Sequence, residues 1–405
     1  MRALLLTHVA APDRVGGLER HVRELAAALV EAGVPTTIVT KRISAALPAR
    51  ERGDDGVELY RVGVPDKASR TYPIRYPLAL FRTIVRAMTD RSADTVVHGH
   101  YCVPSLTPLV TGRPFVYTFH APLWRELVVE SSGDRQWLHR SVARGVRVAE
   151  RALVARASHV IVHGRYTREL VQELHEGAAA NAIVIPGGID AKRFPEQSAN
   201  GHPREEGALR LFTARRMTPR TGLAELIEAI PAVAREFPGV QLDVAGDGAL
   251  RPQLEARIRE LGLDGSVRLL GRVSEEALAA GYRDADLAVM PTQHLEGFGL
   301  TTVEALASGT PVVGTPVGAN PDILEPLDPA LVSKDASPAG IAAAIVRVAR
   351  DPERLARVRS QARASVLPAL DWSVLARRYL EVYEDHLRAA TRRPRSVRLR
   401  SPTGG

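Results

Sequence analysis

The chain reads as an α/β protein of two doubly wound parallel-sheet domains, and three observations carry that reading. Short β-branched apolar runs alternate with longer amphipathic stretches over most of the 405 residues, and strands alternating with helices of ~10–15 residues imply parallel sheets covered on both faces. The alternation stops at a polar loop, residues 190–207, which contains Pro195, Gly201 and Pro203, and then starts again. Apolar residues make up 45% of the chain and charged residues 25%, a globular balance that excludes a disordered, collagenous or coiled-coil chain.

In the first half, strands are expected at 3–9, 36–40, 57–62, 95–98, 115–119, 159–162 and 182–185, with helices at 17–32, 77–89, 136–155 and 165–175. In the second half, strands are expected at 210–214, 241–245, 267–270, 287–290 and 311–314. In such sheets ligands sit beyond the C-terminal strand ends, so the residues that follow each strand are the informative ones.

The single cysteine, Cys102, excludes a disulfide framework and a CxxC metal site. No apolar run approaches ~18 residues, so no spanning helix is expected. The short apolar start, Met1-Arg-Ala-Leu-Leu-Leu-Thr-His8, reads as a first strand rather than a signal peptide, and the expected location is cytoplasmic. The net charge of +8 is carried almost wholly by arginine and mildly favours anionic partners such as phosphates, nucleotides or an acidic membrane surface. Nucleic acid is not among the expected partners. Segments 74–91 and 140–156 are basic and amphipathic, with Arg75, Arg82, Arg86 and Arg91 in the first. The plain reading is a solvated face; the sharper one is peripheral contact with anionic headgroups.

Gly16-Gly17 opens the first helix, where backbone N–H groups at the positive helix end can approach an anion. Histidines recur at strand edges: His8, His98, His100, His120 and His163. They read either as polar residues lining a cleft or as ligands of a metal-dependent hydrolase, and no metal is expected because no acidic partner ligand follows the neighbouring strands. His120 ends its strand just before an irregular segment, 121–134, long enough to be an acceptor loop.

Gly246-Asp-Gly248 falls short of a dinucleotide fingerprint, because Arg251 stands at the third glycine and no ribose-binding acid follows. Asp284-Ala-Asp286 lies where a helix runs into a strand and reads as structural. The strongest local signal is Glu296-Gly-Phe-Gly-Leu-Thr-Thr-Val-Glu304, two carboxylates bracketing a glycine-rich helix start. The N–H groups of Phe298, Gly299, Leu300 and Thr301 suit a diphosphate. Glu304 suits a ribose diol, and Glu296 suits the hydroxyls of a second sugar.

With these elements in this order the sequence resembles retaining glycosyltransferase family 4, of the GT-B fold. The resemblance is carried by Glu296-x7-Glu304, Gly16-Gly17-Leu-Glu19-Arg-His21, the edge Asp94 to His100, Thr118-Phe-His120, Pro186-Gly-Gly-Ile-Asp190 and Gly271-Arg272-Val273. It implies two Rossmann-like domains, 1–188 on the acceptor side and 189–370 on the donor side. A helix, 371–390, would cross back to the first domain, ahead of a basic disordered tail, 391–405. It implies a metal-independent retaining transferase moving a sugar from a UDP- or GDP-sugar, the co-substrate, to a hydroxyl acceptor, lipid-linked acceptors included, in cell-envelope glycolipid, polysaccharide or glycoconjugate synthesis. His120 and Glu296 would be catalytic. Gly16, Gly17, Arg216, Arg220, Arg272, Val273 and the loop Glu296, Gly297, Phe298, Gly299, Leu300, Thr301 with Glu304 would bind the donor. The family's second diphosphate cation, a lysine, is replaced by Thr221, so Arg215 or Arg220 is expected to compensate. Otherwise the enzyme is slow, takes a different donor, or is a non-catalytic sugar-nucleotide-binding or scaffold protein.

Overall fold

The computed structural model describes residues 1–13, 16–63, 71–89, 94–129, 136–194 and 208–392. The first sheet contains β1 (Arg2–Leu6), β2 (Thr36–Lys41), β3 (Arg50–Arg52), β4 (Glu58–Val62), β5 (Thr95–Gly99), β6 (Val116–Phe119), β7 (His159–Val162) and β8 (Ile183–Val184), in spatial order β3-β4-β2-β1-β5-β6-β7-β8. The second contains β9 (Ala208–Ala214), β10 (Gly239–Ala245), β11 (Val267–Gly271), β12 (Leu287–Met290) and β13 (Val312–Gly314), in order β11-β10-β9-β12-β13. All pairings are parallel except β3 with β4.

β3 is absent from the sequence reading because Arg50-Glu51-Arg52 has no apolar residue to show a period. All three are exposed at the sheet's outer edge, where charge protects an open strand. Three helices of the first half were also missed, among them the five-residue Glu176–Ala180. Cys102–Thr111 carries Pro104 and Pro108, and Leu123–Val129 overturns the irregular reading of that part of 121–134. The second helix starts where buried Glu150 accepts the Leu123 N–H at 3.0 Å. Residues 130–135 lie outside the described residues, as do Arg91 and most of the tail, 393–405.

The last helix, Trp372–Arg392, lies on the first sheet and not on the second. Its face of Trp372, Leu375, Tyr379, Val382 and Tyr383 joins Leu5, Leu25 and Leu29 in one core, each buried apolar side chain contributing ~1.5–3 kcal/mol. The chain therefore crosses between domains twice, and the crossings are hydrogen-bonded to each other. Ile189 N–H donates to the Leu370 carbonyl at 2.9 Å, and Trp372 N–H to the Ile189 carbonyl at 3.3 Å. Aromatic side chains press on both glycines of this hinge: a Cβ on Gly187 would lie 2.4 Å from the Phe298 ring, and one on Gly188 would lie 2.3 Å from Trp372.

Candidate functional site

The strand-end histidines are neighbours because their strands are. β5, β6 and β7 are adjacent and parallel, so the residues just past their ends, His100, His120 and His163, stand side by side. They form a hydrogen-bonded row: His100 Nδ1 to His120 Nε2 at 3.1 Å, and His120 Nδ1 to His163 Nε2 at 3.0 Å. The Ile185 carbonyl, 3.0 Å from His163 Nδ1, can only accept, and this fixes every proton in the row. His163 carries its proton on Nδ1, so its Nε2 accepts from His120 Nδ1–H. The bare His120 Nε2 then accepts from His100 Nδ1–H. The chain of bonds ends at His100 Nε2, a buried nitrogen with no partner.

His21, from the helix Gly17–Glu31, packs edge-on against His120 and His163 with ring centres 4.9 Å from each, and Tyr379 Oη lies 3.4 Å from its Nε2. Sequence reasoning quoted His21 only as part of the glycine motif. Its place in the cluster was hidden because a helix, not a strand end, delivers it. His98 sits behind, bonded to Tyr383 Oη and Thr118 Oγ1, both at 2.7 Å.

Burial, and then mutual repulsion, holds these rings neutral. His98 is pushed down to about 3, and His21, His100 and His120 fall well below the usual histidine value. His163 is lowered to about 4 by burial despite the Ile185 carbonyl, which favours its charged form. The unfolded chain takes up these protons near pH 6.5, whereas folded His163 and His98 do not until about 4 and 3. In that window the unfolded state binds more protons, and stability falls as pH drops. Thermal melts from pH 7.5 to 4.5 are expected to show a falling Tm, and His163→Gln is expected to flatten part of the fall.

Across the cleft, β9 and β12 are adjacent in the second sheet, which puts Arg215 beside the loop after β12. Arg215 is buried. It reaches Glu296 at 2.7 Å and donates to Thr292 Oγ1 at 2.7 Å and Thr301 Oγ1 at 3.0 Å. Burial alone would raise Glu296, but Arg215, Arg220 and Thr292 outweigh it and the carboxyl is lowered. The Gly299 N–H donates to the other Glu296 oxygen at 3.2 Å. Just before it, Leu295 has φ +59°, a conformation no other described non-glycine residue adopts. Such strain costs ~1–3 kcal/mol, and Arg220 donates to the Leu295 carbonyl at 3.2 Å. Thr221, at the expected lysine position, turns its hydroxyl onto the Arg216 and Thr218 carbonyls at 2.8 and 2.7 Å. It braces the loop.

The two halves of the expected site meet. A Cβ on Gly297 would lie 2.2 Å from the His120 carbonyl oxygen, so only glycine fits there, and Phe298 packs 5.8 Å from the His163 ring. A Cβ on Gly16 would lie 3.1 Å from Arg216 Nη2, while the space around Gly17 is open. Gly299, with φ +78°, starts the helix Leu300–Ala307, and Glu304 lies buried on that helix. Arg20 of the first domain holds Glu304 and also reaches Glu275 at 2.8 Å. Burial raises Glu304 although Arg20 and Arg193 pull it down. Arg272 and Val273 follow β11 at the sheet's outer edge: Arg272 is exposed, and Val273 packs on the second core. Asp286 accepts the Arg210 N–H at 2.8 Å, a structural role, as read from sequence.

A cavity of about 200 Å³ opens beside Glu296, lined by Trp124, Arg125, Tyr166, Gln293, His294 and Leu295. Both domains contribute to it. Among the described residues no helix is long and apolar enough to cross a membrane.

Comparison with known proteins shows the family and the fold. A family model described as Glycosyltransferase Family 4 matches residues 15–193, and one described as Glycosyl transferases group 1 matches 195–365. The chain is 29% identical over 401 residues to a glycogen synthase of Mycobacterium tuberculosis, covering 95% of this chain and 94% of that one. It is 30% identical over 340 residues to a D-inositol 3-phosphate glycosyltransferase of Pseudarthrobacter chlorophenolicus, covering 78% and 79%. Sucrose-phosphate synthase from Thermosynechococcus elongatus superposes with a TM-score of 0.79 at 21% identity, covering 96% of this chain and 99% of that one. Two facing parallel sheets, matched domain by domain and joined by a double crossing, place the chain in glycosyltransferase family 4 with the GT-B fold.

Proposed function

We propose that the protein is a retaining, metal-independent glycosyltransferase that moves a sugar from a nucleoside-diphosphate sugar to a hydroxyl acceptor. The observation that carries this reading is the meeting of the Glu296 loop with His120 across the cleft, through Gly297 on the His120 carbonyl. Ionised Glu296 accepts hydrogen bonds from donor-sugar hydroxyls. The diphosphate lies between Gly16-Gly17, Arg216 and the N–H groups of 298–301, with Arg215 and Arg220 supplying the charge that Thr221 does not. His100 and His163 hold both ring nitrogens of His120, and one of these bonds opens when His120 contacts the sugar or phosphate at the reacting centre. The C–O bond to the leaving phosphate breaks through an oxocarbenium-like state, and the acceptor hydroxyl attacks the same face and passes its proton to the departing phosphate. Fixed cations and N–H donors stabilise the developing charge. The ribose takes over Glu304, and Arg272 and Val273 meet the base.

The acceptor enters by the cavity beside Glu296, where Tyr166 offers a ring, Gln293 a polar end, and Trp124 a ring that carries the guanidiniums of Arg125 and Arg147 at 5.0 and 5.1 Å. A sugar or polyol suits that lining, and the name of the inositol-phosphate relative points the same way. Exposed Leu78 and Phe81 between Arg75 and Arg82 support peripheral contact with an anionic membrane, and through it a lipid-linked acceptor.

The test is a panel of UDP-, GDP- and ADP-sugars in EDTA, read by thermal stabilisation and slow donor hydrolysis. Stabilisation by one nucleotide class with hydrolysis in EDTA is the expected result. Stabilisation without hydrolysis under any acceptor would make the protein a binder instead, and no stabilisation would overturn the donor site.

A further inference from the structure

We propose that His21, His120 and His163 form a binding site for one transition-metal ion of the zinc or cobalt(II) class, and that filling it withdraws His120 from the donor and inhibits transfer. Each of the three can present a nitrogen within 4.8 Å of those of the other two. Their ring centres form a nearly equilateral triangle, with sides of 4.9, 4.9 and 4.7 Å. Imidazole nitrogens ~2.0–2.1 Å from a tetrahedral zinc put ring centres roughly 5 Å apart, so the rings need to move little.

The outer nitrogens are already held, as in built metal sites, where second partners orient each ligand. His163 Nδ1 is fixed by the Ile185 carbonyl, His120 Nε2 by His100, and His21 Nε2 faces Tyr379 Oη. This leaves His163 Nε2 and His120 Nδ1 facing each other at 3.0 Å, and one nitrogen of His21 to offer. Ligation by His120 Nδ1 requires its proton to leave, and the row provides for that. His120 moves to its Nε2–H tautomer and donates to His100 Nδ1, whose own proton reappears on Nε2. The count before and after is three protons on three rings, and the unpartnered buried nitrogen of His100 is the one that takes up the change. A set of neutral imidazoles without a carboxylate selects zinc, cobalt, nickel or copper over magnesium, calcium or manganese.

Metal binding stands apart from the proposed transferase reaction; only the inhibition rests on it. The full-length chain is stripped with EDTA, dialysed, and titrated with zinc chloride by calorimetry and with cobalt chloride by visible absorption. One equivalent of zinc and the absorption of tetrahedral cobalt are expected, with neither response from magnesium chloride. His163→Gln keeps an acceptor for His120 N–H but removes the ligand, and it should weaken zinc by more than the ~10–100-fold that loss of an outer-shell partner costs, as should His21→Asn. Circular dichroism shows which variants are folded, and either one decides. A wild-type chain that takes no stoichiometric zinc overturns the site. So does zinc bound equally by both folded variants, which would point to other histidines such as His159 and His386. In the donor-hydrolysis assay zinc should suppress turnover and EDTA restore it. Zinc bound with turnover intact overturns the inhibition, whereas absent turnover with zinc bound counts against the transferase reading and not the site.

Discussion

Arg215→Met is expected to lower both stability and donor turnover more than any other single change in the second domain. The guanidinium is buried and holds Glu296, Thr292 and Thr301 together. Removing it leaves a buried carboxylate without its counter-ion, a loss of ~3–5 kcal/mol. The pH dependence separates this account from simple loss of packing. In the wild type, Glu296 is lowered, so its contribution is present above the unfolded carboxyl value and lost as pH falls. In the variant only Arg220 and Thr292 oppose burial, so the carboxyl rises relative to the wild type and the stability its ionised form contributes above about 4.5 is lost. Denaturant titrations at pH 5 and pH 8 should therefore show a larger deficit at pH 8, and equal deficits would sink the ion-pair account. Arg215→Lys returns the charge without the planar fork and should recover only part of both properties.

His120→Ala should reduce donor hydrolysis by ~10²–10³-fold, the scale for a lost group at the charge-developing centre, without a comparable change in nucleotide affinity. His163 acts through His120 and is a positioning residue. His163→Leu removes the acceptor for His120 N–H and frees its tautomer, so kcat should fall with donor KM little changed. His163→Gln, whose amide oxygen still accepts, should rescue much of it. Rescue failing, or Leu and Gln behaving alike, would mean that His163 only fills space. Steady-state kinetics on the three variants, with melting curves as the folding control, decide this.

Much of the fold was legible because its strands are short β-branched runs with little ambiguity of period. β9 to β13 and β5 to β7 fall within two residues of their expected bounds. What escaped lacked such a period: the all-charged edge strand Arg50–Arg52, and the short helix Leu123–Val129, whose start depends on Glu150 from a distant segment. The site divides in the same way. Glu296, Gly297 and His120 stood out because each sits near a strand end or helix start, and Glu304 because of its spacing from Glu296. The parts that depend on tertiary placement could not be read: the tautomers set by the Ile185 carbonyl, the arrival of His21, and the capture of Glu304 by Arg20. The missing lysine was visible in sequence, but that Arg215 and Arg220 both converge on Glu296 needed the adjacency of β9 and β12.

The aromatic side chains seated on the hinge glycines have a mechanical consequence. Phe298 belongs to the donor loop, yet its ring rests on Gly187, where the chain leaves the first domain, and against His163. Opening the cleft must draw that ring off the hinge, and with it Gly297 off the His120 carbonyl. On the proposed function, assembly of the reacting centre and closure of the two domains would then be a single movement. For the proposed transferase, parting the acid loop from the histidine row would leave a sugar nucleotide bound in an open cleft without the groups that release its sugar to water. On that reading the hinge acts as a safety catch.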